Sequence, residues 1–327
     1  MKRRGTTYVA GPEKKENNDG GDSFKSAALP FVSIIVPVYN AESSLEACFD
    51  SISSLDYPSD KFEVIGVDNG STDRSREIMS RYKLRLLFET SVQSSYAARN
   101  KGILSAKGEL IAFTDADCVV AHDWLKRLFK DWSDRSIGCF AGEIEGYQPR
   151  TVVEKFSHRI GILKRTSAFT WPYLPYASTA NAGYRKEIFD RIGLFIPEMY
   201  TGGDADIAWR MQRKLCLAVR FIPEALVYHK HRSSVMGLYR QFKKYEYGKI
   251  FLHKYHPEYQ LPSIKERKNE LLEAIRQALS VLPDSIRRWW KKEIDFVDFA
   301  APFLKMVMSY GVYKARLEQR KTRQVPI

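Results

Sequence analysis

Phe31-Val32-Ser33-Ile34-Ile35-Val36-Pro37-Val38-Tyr39-Asn40 is the stretch on which the fold turns. Its apolar residues run almost without alternation, the pattern of a strand covered on both faces. Such a strand needs neighbours on either side and helices above and below, and the chain supplies them in order. Ser43 to Leu55 sets Leu45, Phe49, Ile52 and Leu55 at helical spacing. Phe62-Glu63-Val64-Ile65-Gly66-Val67 is a second strand, and Asp68-Asn69-Gly70-Ser71-Thr72-Asp73 is a turn and capping signal before a helix through Met79. Leu84 to Phe88 reads as a third strand and Tyr96 to Ser105 as a helix. Leu110-Ile111-Ala112-Phe113 is then a fourth strand, ending in Thr114-Asp115-Ala116-Asp117. This alternation predicts an α/β fold with a doubly wound, mainly parallel sheet and helices on both faces.

Outward from this core, the 327 residues divide into three parts: a polar, basic tail over 1–29, expected to be disordered; an α/β domain over 30–232; and a helical module rich in Tyr, Phe, Trp, Lys and Arg over 233–327. A hydrophobic content of 44% supports a substantial core. No run of eighteen uninterrupted apolar residues occurs; the closest, Phe296 to Tyr313, is broken by Asp298, Pro302 and Lys305. Met1-Lys2-Arg3-Arg4 is followed by polar residues and not by an apolar signal core, so the expected location is cytoplasmic. Cys48, Cys118, Cys139 and Cys216 are widely spaced, which suits reduced, mostly buried thiols better than a zinc or redox site. The net charge of +13 favours polyanionic company: nucleic acid, anionic lipid or a diphosphate substrate.

In open α/β sheets ligands gather at the carboxyl ends of strands. Here those ends carry Tyr39-Asn40, Asp68-Asn69 and Asp115-Ala116-Asp117. Asp115 and Asp117, two carboxylates flanking one residue, can reach a divalent cation and a ribose from one short turn. Mg²⁺ and Mn²⁺ take oxygen ligands and commonly bridge carboxylates to substrate phosphates. The competing reading is an acidic turn with capping aspartates. Asp68 can accept a hydrogen bond from a base or ribose, or simply cap the helix after it. Arg99 can meet phosphate or base, or belong to a solvated cationic face.

Thr201-Gly202-Gly203-Asp204-Ala205-Asp206 precedes a helical stretch from Ile207 to Leu215. A helix N-terminus stabilises negative charge, as a general base requires, and the paired glycines allow close approach of a sugar. Capping alone explains one of these aspartates. His229 and, more weakly, His231 follow the strand-like Ala225-Leu226-Val227-Tyr228 and can complete a metal site or touch a diphosphate.

The ordered set Val36-Pro37-Val38-Tyr39-Asn40, Val67 to Asp73, Ala98-Arg99-Asn100-Lys101-Gly102, Phe113 to Asp117 and Gly203 to Asp206 resembles the family 2 glycosyltransferases, over roughly Phe31 to Lys249. The resemblance implies a GT-A fold and inverting, non-processive transfer from a nucleotide-sugar, with a UDP-sugar favoured and Mg²⁺ or Mn²⁺ as cofactor. It implies that Pro37, Tyr39, Asn40 and Asp68 hold the nucleotide with Arg99 beside the pocket. Asp115 would approach ribose or metal, Asp117 would ligate the metal, and Asp204 would be the base, with Gly203 where the family commonly has a glutamate. Processive relatives carry Q-x-x-R-W and membrane helices; the nearest match is Gln241-Phe242-Lys243-Lys244-Tyr245, with Lys for Arg and Tyr for Trp. Gln241, Lys244 and Tyr245, like Asp206, are candidates for acceptor or diphosphate contact. The implied acceptor is a glycan or a lipid-linked sugar, in cell-surface polysaccharide or glycolipid synthesis.

A catalytically silent nucleotide-sugar or polyanion-binding module with this fold is the rival reading, and the pairing of Asp117 with Asp204 argues against it. A dinucleotide oxidoreductase is discounted because the first strand leads to Pro37 to Asn40 and not to a G-x-G-x-x-G turn. Nucleic acid is disfavoured because none of the named nucleic-acid signatures appears. In the C-terminal module, Met236, Tyr239, Phe242 and Tyr245, and the run Arg287-Arg288-Trp289-Trp290-Lys291-Lys292, have the aromatic and cationic mixture of a membrane interface. Peripheral attachment to the inner face of the cell membrane is the corresponding expectation. Phe296, Phe299, Phe303, Val307 and Tyr310 read instead as a core stripe.

Overall fold

The computed structural model describes residues 29–164, 173–199 and 201–322. Nearly all of the expected N-terminal tail lies outside these residues. The strand quoted first, β1 (Val32–Val38), is buried along its whole length. It pairs in parallel with β2 (Phe62–Asp68) on one side and β4 (Leu110–Phe113) on the other. Ile34 and Val36 enter the core on one face of the sheet and Ile35 enters the core on the other, so both faces demand an apolar side chain. That is why the sequence does not alternate here.

Helix α1 (Leu45–Ser53) buries Leu45, Phe49 and Ile52, three of the four residues its spacing singled out; Leu55 lies past the helix end and is half-buried. Helices α2 (Ser75–Met79) and α3 (Ser95–Ser105), with strand β3 (Arg85–Phe88), complete the parallel half of the sheet. Beyond β4 come β5 (Cys118–Val120), α4 (Trp124–Leu128), β6 (Ile137–Gly146), α5 (Val152–Arg159), β7 (Ala182–Arg185), α6 (Lys186–Ile192), α7 (Gly203–Leu215) and β8 (Ala218–His229). The eight strands lie in the order β3-β2-β1-β4-β7-β6-β8-β5. The fold class is the α/β arrangement expected, but the far half of the sheet is mixed. β7 is antiparallel to both β4 and β6, and β5 is antiparallel to β8. This mixed half begins where the regular strand-helix alternation of the sequence stops, at Asp117.

Three helices follow: α8 (Val235–Tyr255), α9 (Ile264–Trp290) and α10 (Phe296–Thr322). They pack in series, α9 on α10 and α10 on both α8 and α5. The inward stripe of α10 is Val297, Ala300, Ala301, Leu304 and Met308, which meet Val153, Phe156 and Leu238. It is rotated by one residue from the expected stripe, and Phe296 and Tyr310 are exposed. The aromatic residues collect instead at the α9–α10 turn, where Trp289, Phe296 and Phe299 contact one another. At the base of this hairpin the fully buried Glu246 of α8 is ion-paired with Arg267 of α9 at 3.0 Å and Arg316 of α10 at 3.1 Å. Among the described residues, no helix is long and apolar enough to cross a membrane.

Candidate active site

The turn after β4 delivers the two aspartates. Cys118 N donates to Asp115 O at 3.0 Å, closing the turn and starting β5. Because β5 pairs antiparallel with the end of β8, Cys118 lies opposite His229. This register, over more than a hundred residues of separation, sets His229 Nε2 3.5 Å from Asp117 Oδ2. Arg232, just past the strand, adds a cation 3.9 Å from the same carboxylate. Burial alone would raise the Asp117 carboxyl, but the charge and hydrogen bond of His229, helped by Arg232, bring it down to about 2. Burial also opposes charge on His229, yet Asp117 lifts its imidazole above the ordinary value.

Asp115 is treated differently. Its carboxylate is ion-paired with Arg99, which α3 holds buried with its guanidinium 5.5 Å from the Tyr96 ring centre. Burial, reinforced by Asp117, pushes Asp115 upward against the pull of Arg99. Two aspartates one residue apart thus face the same space with opposite tendencies.

The third carboxylate comes from α7. Gly202, in a left-handed conformation with φ of 89°, is the residue before the helix, and Asp204 and Asp206 both fall in its first turn. Asp204 faces the cavity. Its Oδ1 accepts from Tyr96 Oη at 3.2 Å and Thr179 Oγ1 at 3.1 Å, and its Oδ2 accepts from Thr179 N at 3.2 Å. Tyr96 Oη in turn accepts from Gly203 N at 2.9 Å, so one hydroxyl ties the carboxylate to the start of its own helix. The structure does not bring Asp206 to the same place. It is buried against Arg210 at 2.7 Å and His256 at 2.9 Å, where it braces α7.

Helix α8 closes the space. Gln241, Lys244 and Tyr245 lie on its inward side, with Gln241 Nε2 donating to Tyr245 Oη at 2.9 Å. Burial, with Arg232 and Arg99 nearby, depresses the Lys244 ammonium. The result is a cavity of about 740 Å³ whose lining includes Arg99, Asp115, Asp117, Asp204, His229 and Lys244. Residues from at least five separate stretches of chain converge on it.

A match to the family model described as glycosyl transferase family 2 spans residues 33–193, from β1 through the end of α6. Over residues 33–193 the chain belongs to glycosyl transferase family 2. The chain is 33% identical over 186 residues to glycosyltransferase AglE of Haloferax volcanii, covering 55% of this chain and 60% of that protein. It is 34% identical over 127 residues to poly(ribitol-phosphate) beta-glucosyltransferase of Bacillus spizizenii, covering 37% of this chain and 20% of the relative. The aligned chain therefore spans 60% or less of the length of these relatives. Among solved structures, mannosyltransferase PcManGT of Pyrobaculum calidifontis, in complex with GDP-Man and Mn²⁺, aligns over 91% of this chain and 89% of its own. The TM-score is 0.59 at 19% identity, a likeness of fold that extends through the C-terminal helices.

Asp204, His229 and the α8 wall lie beyond the segment that the family 2 model matches. Conversely, four residues assigned to the nucleotide stand outside the cavity lining, at the adjoining ends of β1 and β2. Tyr39 is exposed there. Asn40, left-handed with φ of 46°, accepts from Thr72 N at 2.8 Å and staples the two strand-end loops together. Asp68 is buried, accepts from Gly70 N and Ser71 N, and pairs with Arg76 at 2.8 Å. Pro37 sits in β1 opposite Val67.

Asp117 and His229 fit a divalent cation in their chemistry, one hard carboxylate and one imidazole directed at each other, with the Asp115 carboxylate close by. Among the described residues no group of three His, Cys, Asp or Glu side chains is placed to hold an ion by itself. A cation here needs further oxygens from a ligand.

Tyr96 and Thr179, which orient Asp204, were not singled out in the sequence. Only the three-residue spacing of Tyr96 and Arg99 on one helix hinted at the former, and nothing marked the latter. Gly203 also has a different use from the expected sugar approach. A Cβ there would lie 2.7 Å from Tyr96 Cζ, and that ring is stacked on Phe195. Gly203→Ala is expected to cost about 1–3 kcal/mol of stability, the usual range for overpacking. Denaturant unfolding reads this directly, and an unchanged midpoint would mean that the ring has room to move.

Proposed function

We propose that this chain is a non-processive, inverting glycosyltransferase that moves one sugar from a nucleotide-diphosphate sugar to an acceptor hydroxyl. The single observation that carries the reading is the cavity that places Asp204, held by three hydrogen bonds, in one space with Asp115, Asp117 and His229. Asp204 takes the proton of the acceptor hydroxyl as its oxygen attacks the anomeric carbon. The bond to the nucleotide diphosphate breaks on the opposite side, and configuration inverts. Asp117 and His229, with Asp115 alongside, would hold Mg²⁺ or Mn²⁺, which when bound would supply positive charge near the departing diphosphate. Arg232, Arg240 and Lys244 on the same walls add fixed cations toward phosphate oxygens. Asp68, Tyr39 and Asn40 at the neighbouring strand ends receive the nucleoside, with a uridine nucleotide as the favoured donor. Gln241, Lys244 and Tyr245 contact the acceptor or the diphosphate.

Support for a cation and a nucleotide-sugar comes also from PcManGT, whose structure holds GDP-Man and Mn²⁺. The acceptor is a glycan or a lipid-linked sugar, in keeping with cell-surface polysaccharide or glycolipid synthesis. Incubating the protein with a panel of UDP-, GDP- and dTDP-sugars, with and without Mn²⁺, is expected to release nucleotide from one base class in a metal-dependent manner. Silence across the whole panel would return the chain to the class of binding modules.

A further inference from the structure

The α9–α10 hairpin carries an apolar face that nothing among the described residues covers. Only Ala278 of the 27 residues of α9 is fully buried. Leu272, Leu279 and Ile286 follow at seven-residue steps, and Trp290 comes four later, which sets all four on one side of the helix. They are 40%, 62%, 48% and 82% exposed. At the turn, the contacting rings of Trp289, Phe296 and Phe299 extend this surface onto α10. Apolar residues exposed in a continuous row, and not singly, mark a surface that meets a partner.

The expected aromatic stripe of α8 does not provide a second such surface. Tyr239 stacks on Tyr310, Phe242 packs against the α5 and α10 cluster, and Tyr245 lines the cavity. The exposed face therefore belongs to the hairpin. Its placement is fixed: Arg159 of α5 reaches Asp298 at 2.7 Å and also pairs with Asp295, and Glu246 clamps the other end to Arg267 and Arg316. Ile162 and Phe242 belong both to the cluster beneath α10 and to the cavity wall, so the hairpin adjoins the site.

Charge decides the occupant. Residues 264–292 hold eight lysines and arginines against four acidic residues, and Arg287, Arg288, Lys291 and Lys292 bracket the two tryptophans. A second copy would bring its own +13 to this cationic surface and be repelled. An anionic bilayer complements it, since tryptophan rings favour the head-group level and lysine and arginine meet lipid phosphates. We propose that the α9–α10 hairpin lies on anionic membrane, with Leu272, Leu279, Ile286 and Trp290 dipped among the acyl chains. This placement is independent of which sugar is transferred, and it opens the neighbouring cavity to acceptors held in the bilayer.

The test uses the full chain with phosphatidylcholine vesicles containing or lacking phosphatidylglycerol. Co-sedimentation is expected with the anionic vesicles at low salt and to weaken at high salt. Leu279→Ser combined with Trp290→Ala should reduce it at least about tenfold, through loss of buried apolar surface. Arg287→Gln and Lys291→Gln should each weaken it about fivefold. Brominated lipid should quench tryptophan fluorescence in the parent protein and much less in the double variant. Donor hydrolysis should be unchanged in all of these variants, because their side chains are exposed and outside the cavity, and this shows that they are folded. Absence of anionic-vesicle binding at low salt, or equal binding by the double variant, would overturn the proposal. So would a dimer in light scattering that the same substitutions disperse, which would assign the face to a second copy.

Discussion

Asp204→Asn is expected to slow sugar transfer by about 10²–10⁴-fold while leaving donor affinity nearly intact, the range that loss of a general base produces. The structure sharpens the design. Thr179 donates to both carboxylate oxygens and Tyr96 to one of them. An asparagine can still accept at Oδ1, but its amide group cannot accept from Thr179 N. One buried donor is then unmet, at a cost of about 1–3 kcal/mol, so thermal unfolding must accompany the kinetics. Calorimetry with the donor and a transfer assay separate the roles. A fall in transfer alone supports the base, whereas equal losses of binding and transfer would make Asp204 a structural residue. Tyr96→Phe gives a useful contrast. It removes one orienting hydrogen bond and no charge, and its effect on transfer should be a small fraction of that of Asp204→Asn.

Much of this site was legible because its parts are local in sequence. β1, β2 and β4 announce themselves by apolar runs, and the groups just after them follow from strand geometry. Asp115, Asp117 and Asp204 are visible for the same reason, standing at a strand end or a helix start. What was not legible depends on register and packing. His229 stood out as a candidate metal ligand, but its placement against Asp117 rests on the antiparallel pairing of β5 with β8. Gly203 looked like space for a sugar, whereas the space is filled by the ring of Tyr96, 107 residues away in the chain. The packed stripe of α10 lies one residue away from the aromatic-rich positions that suggest it, because the helix packs through Val297, Ala300, Ala301 and Leu304. Periodicity finds that an amphipathic face exists; it locates the face within about one residue, and one residue on a helix is a rotation of about 100°.

Asp117→Asn is expected to abolish metal-dependent nucleotide release with the fold preserved. Asp117 borders the cavity, and its ionic partners, His229 and Arg232, are at the cavity as well, so little of the core depends on it. The substitution removes a carboxylate that His229 and Arg232 bring down to about 2, and leaves Asp115 committed to Arg99. Divalent-ion affinity for such a set rests on the charge of its oxygen ligands, so neutral asparagine should be a poor substitute. The effect should be read in two ways: nucleotide release across a Mn²⁺ titration, and Mn²⁺ binding followed by electron paramagnetic resonance in the presence of the nucleotide diphosphate. His229→Gln should weaken the same two signals, and the double variant should lose little beyond Asp117→Asn alone, since both side chains serve one ion. Turnover and Mn²⁺ binding that both survive Asp117→Asn would remove the cation from this pair. The Asp117 and His229 contact would then be an internal ion pair that fixes β5 against β8, and charge neutralisation at the diphosphate would fall to Arg232, Arg240 and Lys244.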